Sequence, residues 1–464
     1  MIPVAAFAGR TVAILGLARS GLSAARALRA GGATVLAWDD AAPMRAAAQA
    51  AGIALADVAS VDWRSVAALI PSPGVPLHAP TPHPLVLQAR AAGCEIAGDM
   101  ELFARARLPA RVAAVTGTNG KSTTTALLAY VLRASGRAAI EGGNIGTPVL
   151  DLPVLGQGGT YVLELSSYQI DLTQTFAADV AVLLNLTPDH IDRHGSMAAY
   201  VAAKERLFQQ QRADQVAVIG MDDADSRALL ERVRKTRTKT TVPFSANGAV
   251  AGGVFVQEGF LHDARLGPAK PVVDLRRWRL VGVHNWQNAA AAYAAATALD
   301  CPPEVAARAL LSFPGLAHRI EEVGMVQGVR FIHDSKATNA EAAARALACF
   351  DNVYWIAGGR PKEGGIRTLA SYYSRLRHAF LIGEAADDFA HTLGADVPHT
   401  TSRTLARAVE QAFAAARADG RAGAVVLLSP ACASFDQFKN FEERGDAFRD
   451  IVGTLGGPQQ KVAL

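Results

Sequence analysis

Short runs of apolar residues alternate along the chain with longer stretches in which apolar residues return every three or four positions. Thr11–Leu15 precedes Ser20–Ala30, Thr34–Trp38 precedes Ala42–Ala51, and Val112–Val115 precedes Lys121–Ala134. Each pair reads as a strand followed by a helix, which predicts the α/β class. Gly31 and Gly136 stand where a left-handed residue closes a helix. No repeat of solenoid period and no low-complexity segment beyond a richness in alanine breaks this alternation.

The alternation restarts twice. One array ends around Gly98–Met100 and a fresh strand opens at Arg111; a helical stretch later stops at Phe313-Pro-Gly315. Strands are then expected at Val329–His333, Val353–Ile356, Ala379–Ile382 and Val425–Leu428. Three domains follow, at 1–100, 101–316 and 317–464. Between Thr240 and Leu280 short alternating strands and turns predict a small antiparallel annex to the middle domain.

Composition narrows the class. In 464 residues, 50% are apolar and 19% charged, which is globular and too long for one simple core. The 46 Lys and Arg against 42 Asp and Glu leave +4, spread without a run of one sign, so no nucleic-acid partner is expected. The first ten residues carry no basic residue before their apolar stretch, and no apolar segment reaches the ~18–20 residues of a membrane helix. Cys94, Cys301, Cys349 and Cys432 are far apart, which fits neither a disulfide framework nor a thiolate metal site. The expectation is a soluble cytoplasmic protein without a signal peptide.

Ala114-Val-Thr-Gly-Thr-Asn-Gly-Lys-Ser-Thr123 follows an apolar strand and opens a helix. The backbone N–H groups of such a turn, backed by a helix dipole, cradle phosphates. Lys121 would reach the β- and γ-phosphates, and the Ser122 or Thr123 hydroxyl would ligate Mg2+. Val115 stands where the common phosphate loop has glycine, so this loop is shorter; the bland alternative is an ordinary strand-turn-helix. Gly16-Leu-Ala-Arg-Ser-Gly21 also follows a strand, and the next strand ends in Asp39-Asp40, near the spacing at which an acid meets a ribose hydroxyl. It lacks the full dinucleotide fingerprint, and reads as an anion site or a plain tight turn.

Glu164 interrupts the apolar run Thr160–Leu165; a carboxylate there is costly to bury unless a cation or hydrogen bonds meet it, so it is a Mg2+ candidate or a strand-end acid paired with lysine or facing solvent. The strand Val180–Leu184 ends in Asn185-Leu-Thr-Pro-Asp-His-Ile-Asp-Arg-His194, where His190 or His194 is a ligand or part of a solvated loop. Lys204 by itself reads as a surface lysine. Three later strands end in Asp334-Ser-Lys-Ala-Thr-Asn339, Gly358-Gly-Arg-Pro-Lys362 and Ser429-Pro-Ala-Cys-Ala-Ser-Phe-Asp-Gln-Phe438, giving the third domain a ligand rim of its own, although each segment singly reads as a loop or a cap.

Taken together, Thr116–Thr123, Gly142-Gly-Asn-Ile-Gly146, Leu163-Glu-Leu-Ser-Ser167, Asn185–His194, Lys204, His284-Asn285 with Asn288, and His318-Arg319 resemble the Mur ligase family in that family's order. The segments Asp334–Asn339 and Ser429–Phe438 look like its glutamate-adding member. The resemblance implies an N-terminal Rossmann-like uridine-nucleotide domain, a central P-loop ATPase-like domain and a C-terminal Rossmann-like amino-acid domain. It implies ATP-driven amide formation: the carboxylate of UDP-N-acetylmuramoyl-L-alanine takes the γ-phosphoryl group, and the amine of D-glutamate then displaces phosphate from the acyl phosphate, in peptidoglycan precursor synthesis.

By the same resemblance, Gly117, Thr118, Asn119, Gly120, Lys121, Ser122 and Thr123 hold the ATP phosphates, with Asn288, His318, Arg319 and Asp334 on the adenosine side. Two Mg2+ ions are implied, one on Ser122 and Glu164 and one on His190 and Lys204, the lysine as a CO2-derived carbamate. Gly16, Leu17, Ala18, Arg19, Asp39, Ser72 and Gly74 meet the uridine diphosphate, and Asn144, Ser166 and Gln169 the muramoyl-alanine end. Lys336, Thr338, Lys362, Ser434, Phe435 and Phe441 meet the glutamate. The protein is expected to be a monomer. A ligase of the same superfamily adding L-glutamate or another amino acid is the alternative, and a dinucleotide-dependent oxidoreductase the remote one; the latter leaves Lys121 and Glu164 without a task.

Overall fold

The computed structural model describes residues 1–236, 240–361 and 364–455. The chain divides into two compact units, Met1–Arg279 with Val283–Phe313, and Leu280–Gly282 with Pro314–Leu464.

The first unit holds two sheets. Strands β1 (Thr11–Leu15), β2 (Thr34–Trp38), β3 (Ala68–Pro71) and β4 (Glu95–Ile96) form a parallel sheet in the order β2-β1-β3-β4. The second sheet comprises β5 (Arg111–Thr116), β6 (Ala139–Gly143), β7 (Thr160–Glu164), β8 (Val180–Leu183), β9 (Val216–Gly220), β10 (Thr241–Ser245), β11 (Val254–Gln257), β12 (Phe260–Asp263) and β13 (Lys270–Asp274). Their order is β13-β12-β11-β10-β9-β8-β5-β7-β6, parallel from β6 to β11.

The segment expected as an antiparallel annex thus continues the central sheet. Strand β10 pairs parallel with β9, and only β11–β13 run antiparallel. Strands such as β5 and β8 read as unbroken apolar runs because helices cover both faces of the sheet. The helix Val283–Ala298 packs along β8–β11 and against the helix Lys121–Ala134. Its run Ala289–Ala292 and Ala294–Ala296 is fully buried, and the small side chains let the helix approach the sheet closely.

One apolar core runs through both sheets of this unit, joining Val12, Ile14 and Leu28 to Leu150, Tyr161 and Leu163. Polar ties reinforce it: Arg26 pairs with Asp151 at 2.8 Å, and Gln169 donates to Asp99 at 3.0 Å. Glu101 is fully buried, yet it ionises below the usual carboxylate range. Burial opposes ionisation, but the N–H groups of Thr175 and Gln174, the Thr175 hydroxyl and Arg105 outweigh it.

The second unit carries β14 (Glu321–Val326), β15 (Val329–His333), β16 (Val353–Gly358), β17 (Leu376–Ile382), β18 (His399–Arg403) and β19 (Val425–Leu428) in the order β14-β15-β19-β16-β17-β18. All pairs are parallel except β14 with β15. The four strands expected from sequence are therefore joined by β14 and β18, whose partly exposed, polar residues hide them from an apolar pattern. Among the described residues no helix is long and apolar enough to cross a membrane.

Candidate active site

Strand β5 ends at Thr116 between β7 and β8, where the strand order reverses, and parallel sheets leave a crevice at such a point. The loop to Lys121 turns there on backbone forms that only glycine takes without strain. Gly120 has φ +85°, and a Cβ on it would overlap the Asn288 amide oxygen. That oxygen already accepts from Thr124 at 3.1 Å, while the Asn288 amide donates to Asn285 at 3.1 Å. Asn185 braces the loop from the other side, accepting from the Asn119 N–H at 2.9 Å. Thr118 Oγ1 contacts the Tyr200 hydroxyl at 3.0 Å. The Lys121 ammonium lies over the loop, donating to the carbonyls of Gly117 and Thr118 at 3.0 and 2.8 Å. Ser122 and Thr123 open the helix behind it.

Lys204 corrects its expectation as a surface residue. It is 1% exposed on the helix Met197–Gln209, with its amine donating to Gly117 O at 3.1 Å and Thr116 Oγ1 at 3.2 Å. Burial pushes its pKa well below the ordinary lysine value, and the Lys121 charge pushes the same way, against a pull from Asp189 and Glu164. The buried amine therefore favours its neutral, nucleophilic form.

Glu164 lies at the end of β7 and is 2% exposed, so it does not face solvent. One oxygen accepts from Asn144 Nδ2 at 2.7 Å, and the other is buried without a hydrogen-bond partner. A buried carboxylate oxygen with no donor fits a cation such as Mg2+. His190, at φ +54°, is half exposed, 3.4 Å from Asp189, with its ring 5.0 Å from that of Tyr168. An imidazole nitrogen is a common ligand for a divalent ion.

Six expected residues, Gly74, Lys121, Asn144, Ser166, His190 and Lys204, line one cavity of about 320 Å3. Ser167, Tyr168, Asp189 and Tyr200 line it too and were not read from sequence as site residues. Tyr200 had a usable signal, standing four residues before Lys204 and so on the same helix face. Ser166 and Gln169 form a reciprocal capping box at the start of the helix Ser167–Asp171.

At the first glycine turn, Gly16 has φ +91° and lies against Ser72, whose hydroxyl donates to Gly16 O at 2.8 Å. Ala18 caps the helix that begins at Arg19, and Arg19 donates to the Gly146 carbonyl. Both Asp39 oxygens accept from backbone, from Leu17 N–H at 2.6 Å and Ala41 N–H at 2.8 Å, so its carboxylate already braces the turn.

In the second unit, Asp334, Lys336 and Thr338 follow β15, and Ser434 and Phe435 follow β19. Asp334 is buried, and burial lifts its pKa to about 6 against the charge of Arg319. His318 is held at φ +64° with its N–H donating to Glu321 at 2.7 Å; burial, with the His333 and Arg449 charges, lowers its pKa. The Lys336 ammonium lies 5.2 Å from the centre of the Phe441 ring. Ser434 is buried and Phe435 exposed. Lys362 lies outside the described residues. Sequence reasoning missed Arg444, a buried guanidinium bound to Ser335 and Cys432, which ties together two of the loops bearing these residues.

Comparison with known proteins accords with this architecture. Residues 115–296 match the Mur ligase middle domain, and residues 318–432 match the Mur ligase, glutamate ligase domain. The chain is 53% identical over the full length of both chains to a UDP-N-acetylmuramoylalanine–D-glutamate ligase of Phenylobacterium zucineum (strain HLK1). It is 51% identical, again over all of both chains, to the ligase of that name from Caulobacter sp. (strain K31). Among solved structures it is similar in fold to a UDP-N-acetylmuramate–alanine ligase of Thermotoga maritima, with a TM-score of 0.57, 17% identity, and 96% and 99% of the two chains covered. With a full-length relative above half identity and both domain models matched in order, the chain belongs to the Mur ligase family.

Proposed function

We propose that this chain adds D-glutamate to UDP-N-acetylmuramoyl-L-alanine with cleavage of ATP to ADP and phosphate, in peptidoglycan precursor synthesis. The observation that carries the chemistry is the single cavity where Lys121, Lys204, Asn144, Ser166 and His190 meet, in a chain similar over its whole length to D-glutamate ligases. ATP and nucleotide-sugar substrates make the cytoplasm the compartment of the reaction.

The loop Gly117–Thr123 receives the ATP phosphates on its N–H groups, and Lys121 leaves the loop carbonyls to neutralise the transferring group. Asn288 holds the loop in shape through Gly120. Asn144 and Ser166 orient the substrate's carboxylate for attack on the γ-phosphorus, giving the acyl phosphate that the amine of D-glutamate then opens with loss of phosphate. Ser122 with Glu164, and His190 with Lys204, would hold Mg2+, which would neutralise phosphate charge. Lys204, whose pKa burial lowers, would take up CO2 through its unprotonated amine with loss of a proton, and the resulting carbamate is an anionic oxygen donor.

Residues 1–100 form the part that receives the uridine diphosphate, through Gly16–Arg19, Asp39, Ser72 and Gly74. Residues 101–316 carry the ATP loop, and 317–464 the glutamate rim. There Lys336 and Lys362 meet the two carboxylates, with Thr338 and Ser434 as hydroxyl donors and Phe435 and Phe441 as walls. His318, Arg319 and Asp334 serve the adenosine side.

The test is phosphate release by the purified chain with ATP, Mg2+ and UDP-N-acetylmuramoyl-L-alanine, with D-glutamate, L-glutamate or L-alanine added in separate runs. Release that needs both the nucleotide and D-glutamate is the expected result. Dependence on L-glutamate overturns the substrate, and no release overturns the reading.

A further inference from the structure

Arg193 belongs to no part of the machinery assigned above, yet it joins two pieces of it. Its guanidinium donates to the Gly74 carbonyl at 2.9 Å, 119 positions away in sequence, and lies 4.9 Å from the centre of the Tyr168 ring. Gly74 closes the Ser72–Gly74 loop, which is tied in turn to the first glycine turn through Ser72 and Gly16. On the other side, Tyr168 packs against the ring of His190 at 5.0 Å and stacks on that of His194 at 5.4 Å. His194 is anchored on Ser167 at 2.9 Å and packs at 5.4 Å against Tyr200, whose ring lies 4.8 Å from the Lys204 amine. A second tie, His78 to Asp171 at 3.1 Å, joins the same two segments.

We propose that Arg193 is a positioning residue that fastens the Ser72–Gly74 loop, which receives the UDP substrate, to the loop that carries His190. The inference rests on the function proposed above. The local chemistry favours it over an ordinary surface arginine. A planar guanidinium can donate in its plane to a carbonyl while presenting its face to an aromatic ring, and an ammonium cannot. Gly74 and Tyr168 both line the cavity, so holding the two together fixes two parts of its wall, one of them the ring against which His190 rests. Substrate seated on the first wall then meets the second at a set distance, which binding energy need not supply on each turnover.

The experiment is steady-state phosphate release by the unmodified chain and by Arg193→Ala, Arg193→Lys and Tyr168→Leu, with each substrate varied in turn. Arg193→Ala is expected to raise KM for UDP-N-acetylmuramoyl-L-alanine about fivefold to tenfold, only a part of the worth of one charged hydrogen bond and one cation–ring contact, since the second tie through His78 and Asp171 remains. KM for ATP and for D-glutamate stays unchanged. Arg193→Lys is expected to recover part of the loss, Tyr168→Leu to reproduce it, and added guanidinium to lower the KM of Arg193→Ala. An unchanged KM for the UDP substrate in Arg193→Ala, with the parent active, overturns the proposal alone. So does a rise in all three KM values together with a lower Tm, which is the mark of a merely structural arginine. If the parent itself shows no D-glutamate-dependent release, the function fails and the proposal falls with it.

Discussion

Asp334→Asn is expected to stabilise the second unit at neutral pH while removing activity. The carboxyl stands buried at the end of β15, and its hydrogen-bond contacts from Ile320 N–H at 3.4 Å and Ser429 Oγ at 3.5 Å are at the limit of usefulness. Burial therefore dominates and lifts the pKa from 3.8 to about 6, despite the opposing pull of Arg319. The shift of about 2 units at 1.36 kcal/mol each makes the ionised side chain cost about 3 kcal/mol. The folded form binds the proton more tightly than the unfolded one. Parent stability is thus fullest below the unfolded pKa, and this contribution is lost as pH rises towards the folded pKa near 6.

Asparagine keeps the shape and does not titrate. The difference in unfolding free energy, variant minus parent, should therefore grow by about 2 kcal/mol between about pH 4.5 and about pH 8. Denaturant unfolding at several pH values measures it, with the transition of the second unit followed by hydrogen exchange in β15 and β19; other titrating groups cancel in the difference. A difference that does not change with pH would refute the reasoning. A variant equally active as the parent would remove Asp334 from the ATP site.

Lys204→Met should also stabilise the resting chain. A depressed lysine pKa means that the folded form resists protonation, so the parent pays most at low pH and recovers as pH rises towards the ordinary lysine value, a trend that a pH series of melting temperatures reads. Lys204→Ala should lose most phosphate release and regain part of it in millimolar short-chain carboxylates; full activity without them would rule out the carbamate. Gly120→Ala should cost about 2–3 kcal/mol, from a left-handed backbone and displaced hydrogen bonds at Asn288, with a raised KM for ATP; unchanged thermal unfolding and ATP kinetics would show that the loop relaxes freely. Phe389→Ala, fully buried in the second unit, should cost about 3–5 kcal/mol without changing KM for the UDP substrate, checked by denaturant unfolding and steady-state kinetics.

The local pattern by itself determined the α/β class and most of the strands that carry ligand loops. Periodicity and turn chemistry act over a few residues and depend little on what lies far away. The glycine-lysine loop behind β5, Glu164 at the end of β7 and Asp334 at the end of β15 all stand where strand endings put them. What only the tertiary structure decided was the environment of side chains whose partners are distant in sequence. Lys204 has the composition of a surface lysine, and becomes a buried amine because its helix packs beside the β5 loop, 87 and 88 positions away along the chain. Arg193 finds Gly74 only when the two sheets of the first unit share one core. β14 and β18 show no apolar period because both are edge strands and bury too little. Burial, and with it the ionisation of Lys204 and Asp334, is a property of the packed chain, since desolvation depends on neighbours that no local window contains.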